Sequence, residues 1–185
     1  NIHAKNIGAV NCVSVGNKLK GINTDWVGYL NSIKQEKISK NNKILILGYG
    51  GASKAIFYGF LLKGFKNIMV FNRSKKLIKF SGINKYTKDY TLIDKHLNCV
   101  DLIINTTPIN PLNKKQIKLI NNKTLISDIV YKPKETPFLK KFKENKKIYG
   151  ITMLVEQAIP CFRQWFGFSP KIDKALLKKL NTKTK

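Results

Sequence analysis

Residues 43–55, KILILGYGGASKA, decide how this chain folds. The run KILILG (43–48) is apolar after its first lysine, as is typical of a parallel strand that is buried on both faces. A glycine-rich turn follows at once, and KAIFYGFLLKG (54–64) then predicts a helix that stops at Gly64. A strand, a glycine turn and a helix in this order predict a nucleotide-binding βα unit.

The same alternation continues on the C-terminal side of this unit. NIMVFN (67–72), CVDLIINTT (99–107) and TLISDIV (124–130) predict three more buried strands, with helical patterns between them around 74–80 and 113–120. ITMLVEQAIPCFRQWFG (151–167) predicts a final helix despite Pro160. Alternating strands and helices indicate an α/β fold, a Rossmann-like doubly wound parallel sheet with right-handed crossovers.

The N-terminal side has a different pattern. AVNCVSVGNKLKGI (9–22) predicts a β-hairpin, because two β-prone runs flank the turn pair Gly16-Asn17. Asn23-Thr24-Asp25 then offers side chains that can cap a helix, and apolar residues recur after them at helical spacing. The polar stretch QEKISKNNK (35–43) predicts a link to the first buried strand.

The glycine turn is the predicted cofactor loop. Its first glycine permits a tight turn, its second lets a pyrophosphate approach the backbone, and the free N–H groups of the helix bind that anion. Ser53 stands at the third glycine position, so we expect helix and strand to lie slightly further apart. The alternative is a glycine-rich turn without a ligand. The predicted contacts are Gly48, Tyr49, Gly50, Gly51 and Ala52.

The residues after the second strand, Asn72-Arg73-Ser74-Lys75, favour NADP over NAD. A site that prefers NAD usually has an Asp or Glu here, which accepts a hydrogen bond from the ribose 2′-hydroxyl, and none is present. The chain uses Lys for nearly all of its cations and has Arg only at 73 and 163, so an arginine here indicates a bidentate phosphate contact. The alternative is a solvated basic loop.

The composition excludes several other functions. The net charge is +25, from 35 basic and 10 acidic residues, but the charge is dispersed and carried mostly by Lys, so we expect no specific nucleic-acid partner. No apolar run approaches the roughly 20 residues that a membrane span needs. Cys12, Cys99 and Cys161 lack metal-ligand spacing, and His3 and His96 are isolated, so we expect no metal site and a reducing, cytoplasmic compartment.

Six blocks in the same order resemble the shikimate dehydrogenase family, and together they cover nearly the whole chain. The blocks are GAVNCVSVGNKLKGINTDWVG (8–28), GYGGASKA (48–55), NRS (72–74), DLIINTTPIN (101–110), DIVYKPKETPFL (128–139) and GITMLVEQA (150–158). The chain departs from the family pattern at Cys12, which replaces a Thr, at Tyr49, which replaces a small residue, and at Asn110 and Thr152, which each replace a Gly.

The resemblance implies an enzyme that interconverts 3-dehydroshikimate and shikimate with NADPH. It implies that Asn11 and Asp25 bind substrate hydroxyls, that Asp25 also pairs with a catalytic lysine, and that Tyr131 and Gln157 complete the substrate pocket. Ile129 and Gly150 would flank the nicotinamide. Structural alternatives remain open at this stage: a hairpin role for Asn11, a helix cap for Asp25, a solvated helix position for Gln157 and a core position for Tyr131.

The family's catalytic lysine belongs to a V-T-x-P-x-K segment, which the resemblance places upstream of Asn1. We therefore expect the C-terminal portion of an enzyme, inactive by itself, with residues 1–25 ending the substrate domain, 26–148 forming the NADP-binding domain and 149–185 returning to the substrate domain. The alternatives are a quinate/shikimate dehydrogenase of broader specificity and a non-catalytic Rossmann nucleotide-binding domain. We expect a monomer or a homodimer.

Overall fold

The computed structural model describes residues 1–80 and 83–183. The α-helices in these ranges are α1 (Ile2–Ile7), α2 (Asp25–Ser32), α3 (Gly51–Leu62), α4 (Asp94–Leu97), α5 (Lys114–Lys118), α6 (Gly150–Phe166) and α7 (Lys174–Lys183), and two short 3₁₀ helices span Tyr90–Leu92 and Leu139–Lys141. The strands are β1 (Cys12–Ser14), β2 (Lys20–Ile22), β3 (Ile44–Leu47), β4 (Ile68–Phe71), β5 (Leu77–Phe80), β6 (Ile83–Tyr86), β7 (Leu102–Asn105), β8 (Leu125–Asp128) and β9 (Lys147–Tyr149).

A parallel sheet in the order β4-β3-β7-β8-β9 forms the centre of the molecule. Its strands β3 and β7 are buried at every residue, which explains their continuous apolar runs. In β3, Ile44 and Ile46 enter a core shared with α2 and α3, whereas Leu45 and Leu47 enter a second core on the opposite face. The predicted Rossmann-like α/β fold is confirmed.

The chain reverses its winding direction at β3. It passes from β3 through α3 to β4 on one side, and β7 then pairs with β3 on the other side. Lys88 adds an isolated parallel bridge to Phe71 beyond β4. In open α/β sheets such a switch point opens a crevice at the carboxyl ends of the strands, and the glycine turn lies there.

The helix predicted around residues 74–80 is wrong. This segment contains β5, which pairs antiparallel with β6. The four residues LIKF alternate, with Ile78 and Phe80 buried and Leu77 and Lys79 exposed, and so short a run fits both a helical and a strand period. The strand β9 has three residues and was not predicted. The helix predicted around 113–120 is confirmed as α5, which begins with a capping box formed by Asn113 and Gln116.

The N-terminal hairpin and the long C-terminal helix are confirmed. β1 and β2 pair antiparallel, and α6 continues through Pro160. The end of α6 contacts this hairpin, because the Trp165 indole N–H donates to the Val13 carbonyl oxygen at 2.9 Å. The domain limits 1–25, 26–148 and 149–185 stay a prediction, and residues 81–82 and 184–185 of those ranges lie outside the described residues.

Helices α2 and α6 approach each other very closely at Gly28. A Cβ atom at this position would lie 2.5 Å from the Gln157 Cβ and 2.7 Å from its backbone nitrogen. Only glycine leaves room for this contact, and the contact places Gln157 beside the start of α2.

Within the described part of the chain, no helix is both long and apolar enough to cross a membrane.

Candidate active site and cofactor loop

The glycine loop after β3 requires glycine at its first position. Gly48 has a φ of +96°, which lies in the left-handed region, and a Cβ there would lie 2.8 Å from the Thr106 Oγ1 atom. Ser53, at the third glycine position, is fully buried, and its hydroxyl donates to the Gly48 carbonyl oxygen at 2.7 Å. The serine therefore ties α3 to the turn.

The same loop fits a pyrophosphate. Gly50 is the N-cap of α3, has no capping side chain, and has open space within 4 Å of the position that a Cβ would occupy. The first turn of α3 contains no acidic residue. The free N–H groups and positive end of a helix attract an anion, and this opening lets one reach them.

Tyr49, the unusual residue of the loop, is half buried against the core on the α3 side of the sheet. Burial raises the pKa of its hydroxyl. The Lys54 Nζ atom lies 5.5 Å from the centre of its ring. The aromatic ring therefore holds a cation at the start of α3.

The predicted 2′-phosphate contacts follow β4 directly. The Asn72 side-chain amide donates to the Ser74 carbonyl oxygen at 2.9 Å, which bends the loop around the exposed Arg73. The ion pairs found in the described residues involve other cations, so Arg73 has no carboxylate partner among them. The Lys75 Nζ atom lies 4.3 Å from the centre of the Tyr86 ring.

Tyr90 was not predicted as part of this region. Burial raises the pKa of its hydroxyl to about 12, against the lowering effects of the Gly48 backbone and the Arg73 charge. Tyr90 therefore lies near both the glycine loop and the arginine. Its signal in the sequence is weak, because it lies in a single 3₁₀ turn (Tyr90–Leu92) after β6.

The predicted substrate residues meet at one cavity of 280 Å³. It is lined by the four predicted substrate contacts, by three predicted cofactor contacts and by two apolar residues of α6: Asn11, Asp25, Tyr131 and Gln157; Ala52, Ile129 and Gly150; Met153 and Leu154. Residues that are far apart in the sequence thus form one wall between the glycine loop and α2.

Asn11 is the centre of a hydrogen-bond network in this cavity. Its side-chain nitrogen lies 2.7 Å from the Asp25 Oδ1, 2.9 Å from the Thr24 Oγ1 and 3.2 Å from the Gln157 Oε1. An amide nitrogen has two hydrogens, so these three acceptors compete for them. The Asn11 side-chain oxygen Oδ1 accepts from the Thr24 backbone N–H at 2.8 Å, which fixes the orientation of the side-chain amide.

Asp25 is not the cap of α2. The N-cap is Thr24, and the Asp25 backbone N–H donates to the Asn23 Oδ1 at 3.1 Å. Its carboxylate faces Asn11 instead. Burial raises the pKa of this carboxyl group, and the hydrogen bond from Asn11 lowers it by less. Among the residues that the structure describes, this partly buried carboxylate forms no ion pair, so it is suited to receive a cation.

The segment after β8 is held by Asp128, which sequence reasoning did not single out. The buried carboxylate accepts from the Thr136 hydroxyl at 2.6 Å and from the Val130 backbone N–H at 3.0 Å. Burial raises its pKa, and these hydrogen bonds oppose that effect. A Cβ at Gly150 would clash with the Ile129 carbonyl oxygen, so α6 begins directly against this segment.

A second unpredicted group fixes the segment after β7. The Asn105 side chain donates to the Thr107 and Ile109 carbonyl oxygens at 3.1 and 3.2 Å. The Thr106 hydroxyl donates to the Leu47 carbonyl oxygen at 2.6 Å, beside the glycine loop. The polar run NTT (105–107) after an apolar strand was the sequence signal that could have indicated this group.

Within the described residues, no group of three or more His, Cys, Asp or Glu side chains is arranged to hold a metal ion.

The fold and the loop at the switch point define a Rossmann-type α/β protein. No family model matches the chain. The chain is 38% identical over 177 residues to the shikimate dehydrogenase (NADP(+)) of Dictyoglomus thermophilum, covering 89% of this chain and 64% of the relative. It is 37% identical over 200 residues to that of Methanosphaera stadtmanae, covering 96% and 70%. The chain belongs to the shikimate dehydrogenase family, as its sequence blocks predict.

Solved structures agree with this assignment. The shikimate dehydrogenase of Aquifex aeolicus has a TM-score of 0.79 at 33% identity, over 97% of this chain and 69% of the other. A Thermus thermophilus shikimate dehydrogenase in complex with NADP(H) and shikimate has a TM-score of 0.77 at 27% identity, over 100% and 72%. The chain therefore spans about two thirds of the length of its relatives.

Proposed function

We propose that this chain forms the NADP-binding part and one wall of the substrate pocket of a shikimate dehydrogenase, which interconverts 3-dehydroshikimate and shikimate. One observation carries the proposal. The 280 Å³ cavity brings the polar residues Asn11, Asp25 and Gln157 next to Ala52 of the glycine loop and Gly150 of α6. A hydroxylated ring bound there would lie beside the reactive end of a cofactor.

The polar groups of the cavity suit a polyhydroxylated ring. The Asn11 side-chain nitrogen has two hydrogens but three acceptors within hydrogen-bond distance. Substrate hydroxyl groups can therefore donate to the Asp25 carboxylate and the Gln157 side-chain oxygen. A site of this kind rejects an analogue that lacks a hydroxyl, because a buried polar group would then stay unpaired. Tyr131, half exposed at the rim, adds a further hydroxyl.

Asp25 would position a lysine ammonium and hold its proton near the substrate. The 185 residues contain no V-T-x-P-x-K segment, so we propose that this lysine comes from outside them. Pairing with an ammonium would offset the burial that raises the pKa of Asp25. NADPH supplies the hydride when it is bound, and the protein supplies position and proton transfer.

NADP is the proposed cofactor rather than NAD. The pyrophosphate would bind at Gly48 to Ala52, and the adenosine 2′-phosphate would meet Arg73, Ser74 and Lys75 in the loop that Asn72 shapes. Ile129 and Gly150 would flank the nicotinamide. Arg73 has no carboxylate partner among the described residues, so its guanidinium is free for a bidentate phosphate contact.

The other proposed properties follow from the same account. The partner is a small molecule and not a specific nucleic acid, the compartment is the cytoplasm, and the assembly is a monomer or a homodimer. A purely nucleotide-binding domain has no need for the polar network of Asn11, Asp25 and Gln157, which favours an enzyme. Quinate remains the alternative substrate.

The proposal is tested by titrating the chain with NADPH and then with shikimate or quinate. We expect saturable quenching or enhancement of NADPH fluorescence. In amide NMR spectra we expect NADPH to shift Gly48 to Ala52, and shikimate to shift Asn11 and Gln157 once NADP⁺ is bound. Binding of neither NADPH nor shikimate would contradict the proposed function, and stronger shifts with quinate would support the alternative substrate.

A further inference from the structure

A second cavity of 360 Å³ lies at the outer edge of β4, between the β5–β6 hairpin and α4. None of the predicted substrate or cofactor residues lines it. Its wall consists of an apolar floor and a cationic rim. We call it the basic cavity, and its lining residues are Lys43, Phe57, Lys66, Asn67, Ile68, Met69, Ile78, Lys85, Tyr86, Lys88, His96 and Cys99.

Four lysines and no acidic residue line the basic cavity. The ion pairs among the described residues involve Lys146 and Lys147, so none of the four rim lysines has a carboxylate partner there. The carboxylate of Asp101 is next to Lys43 in the structure, but it accepts from the Lys43 backbone N–H at 2.7 Å. The positive charge of these lysines thus has no paired carboxylate within the described ranges, 1–80 and 83–183.

Lys88 and His96 form an unusual pair at this rim. The Lys88 Nζ atom lies 3.3 Å from the His96 Nε2 atom and 3.8 Å from the Met69 sulfur. An ammonium group can only donate, so the His96 Nε2 accepts and the imidazole is neutral in this arrangement. Burial lowers the pKa of His96, and so do the charges of Lys88, Lys95 and Lys43.

The apolar residues at the base of the basic cavity determine which kind of anion would fit it. Phe57 and Ile78 are buried, and Ile68 and Met69 are half buried, so the base of the cavity offers apolar contact. Its volume is near the lower end of small-molecule sites, roughly 300–1,000 Å³. A polymer is therefore a poor match, and so is a bare ion, which would leave the floor uncovered.

We infer that the basic cavity binds a small anion with an apolar body, with its charged group against Lys43 and Lys88 and its body on Phe57 and Ile78. None of the proposed cofactor residues lines this cavity, and the inference does not rest on the proposed function. The charged group would supply a counter-charge to these lysines, and it would accept charge-assisted hydrogen bonds from Lys43 and Lys88.

The test uses phenyl phosphate as the probe, with saturating NADP⁺ present to occupy the cofactor loop. The chain has only two histidines, so His96 can be followed by NMR with His3 as an internal reference, because His3 bonds to the Tyr58 hydroxyl and does not line the cavity. We expect a saturable shift of the His96 ring signals and a rise in its pKa. Inorganic phosphate should bind more weakly, and benzyl alcohol should leave His96 unchanged.

Two variants and a matched control complete the test. Lys88→Gln and Lys43→Gln should each weaken phenyl phosphate binding by roughly tenfold or more, since each removes a charge-assisted contact. Lys115→Gln, on exposed α5, makes the same change of net charge and should leave the affinity within about twofold. Equal losses in all three variants, or a His96 shift that does not saturate, would overturn the inference. If NADP⁺ does not bind, the amide NMR signals of Gly48 to Ala52 will stay unshifted. That result would contradict the proposed function and not the inference about the basic cavity.

Discussion

At the scale of single residues, we propose that Arg73 determines the preference for NADP. We predict that Arg73→Ala weakens NADPH binding by more than tenfold and leaves NADH binding nearly unchanged, because one bidentate phosphate contact contributes about 1.5–3 kcal/mol. Fluorescence titration with both cofactors measures this difference. Arg163→Ala, at the exposed end of α6, removes the only other arginine and should change neither affinity. Equal binding of NADPH and NADH by the unmodified chain would refute the assignment.

Asp25 makes a second prediction at this scale. Burial raises the pKa of Asp25 in the folded chain, so ionisation of this carboxyl group at neutral pH lowers the free energy of unfolding. Below the ordinary pKa of Asp, the group is protonated in both the folded and the unfolded chain, and this loss of stability disappears. Asp25→Asn should therefore raise the melting temperature at neutral pH by up to about 2–4 °C, which is the effect of ~1 kcal/mol in a domain of this size. The gain should vanish below about pH 4, near the ordinary pKa of Asp.

The control for Asp25 is Glu144→Gln, which makes the same change of net charge at an exposed position. Thermal melts of both variants across the pH range separate local burial from the overall charge of +25. If Asp25 acted only as a helix cap, Asn would replace it with little change at any pH. A melting temperature of Asp25→Asn that differs little from that of the unmodified chain at every pH would contradict the inference that this carboxylate is suited to receive a cation.

At the scale of secondary-structure elements, the contact of α2 with α6 places Gln157 in the cavity. We predict that Gly28→Ala destabilises the chain by about 1–3 kcal/mol, because the new methyl group meets the α6 backbone rather than a flexible side chain. Chemical denaturation measures the loss. Asn31→Ala, on the exposed face of the same helix, is the control for helix propensity and should be neutral or slightly stabilising. A stable Gly28→Ala variant with unchanged Gln157 amide signals would argue against this packing.

The elements also show where sequence reasoning succeeds and where it stops. The strand in KILILG is predicted by its continuous apolar run between a polar stretch and a glycine turn. Gly48, which ends that run, has a positive φ and no room for a Cβ atom. LIKF (77–80) is too short to separate a helix from a strand, and β9 has only three residues. The role of Asp128 depends on Thr136, whose hydroxyl reaches it only after the chain turns back. Local patterns do not contain that contact.

At the scale of the whole molecule, the charge of +25 predicts non-specific attraction to polyanions. We expect DNA binding that is weak, independent of sequence and lost between about 50 and 200 mM salt, because dispersed lysines mainly release counter-ions. Gel-shift or anisotropy measurements at several salt concentrations, with two unrelated duplexes, check this. Sequence-selective binding that persists at physiological salt would contradict the account.

The whole chain also makes the central prediction, which concerns turnover. The measurement is the rate of NADP⁺ reduction by shikimate, for this chain alone and for the chain joined to the part of the Dictyoglomus thermophilum relative that it does not cover. We predict no turnover by the chain alone, turnover by the joined protein, and a loss of roughly 10²–10⁴-fold when Asp25→Asn is introduced there. Turnover by the chain alone would contradict the proposal of an external lysine, and a joined protein that binds NADPH and shikimate without turnover would contradict the proposed activity.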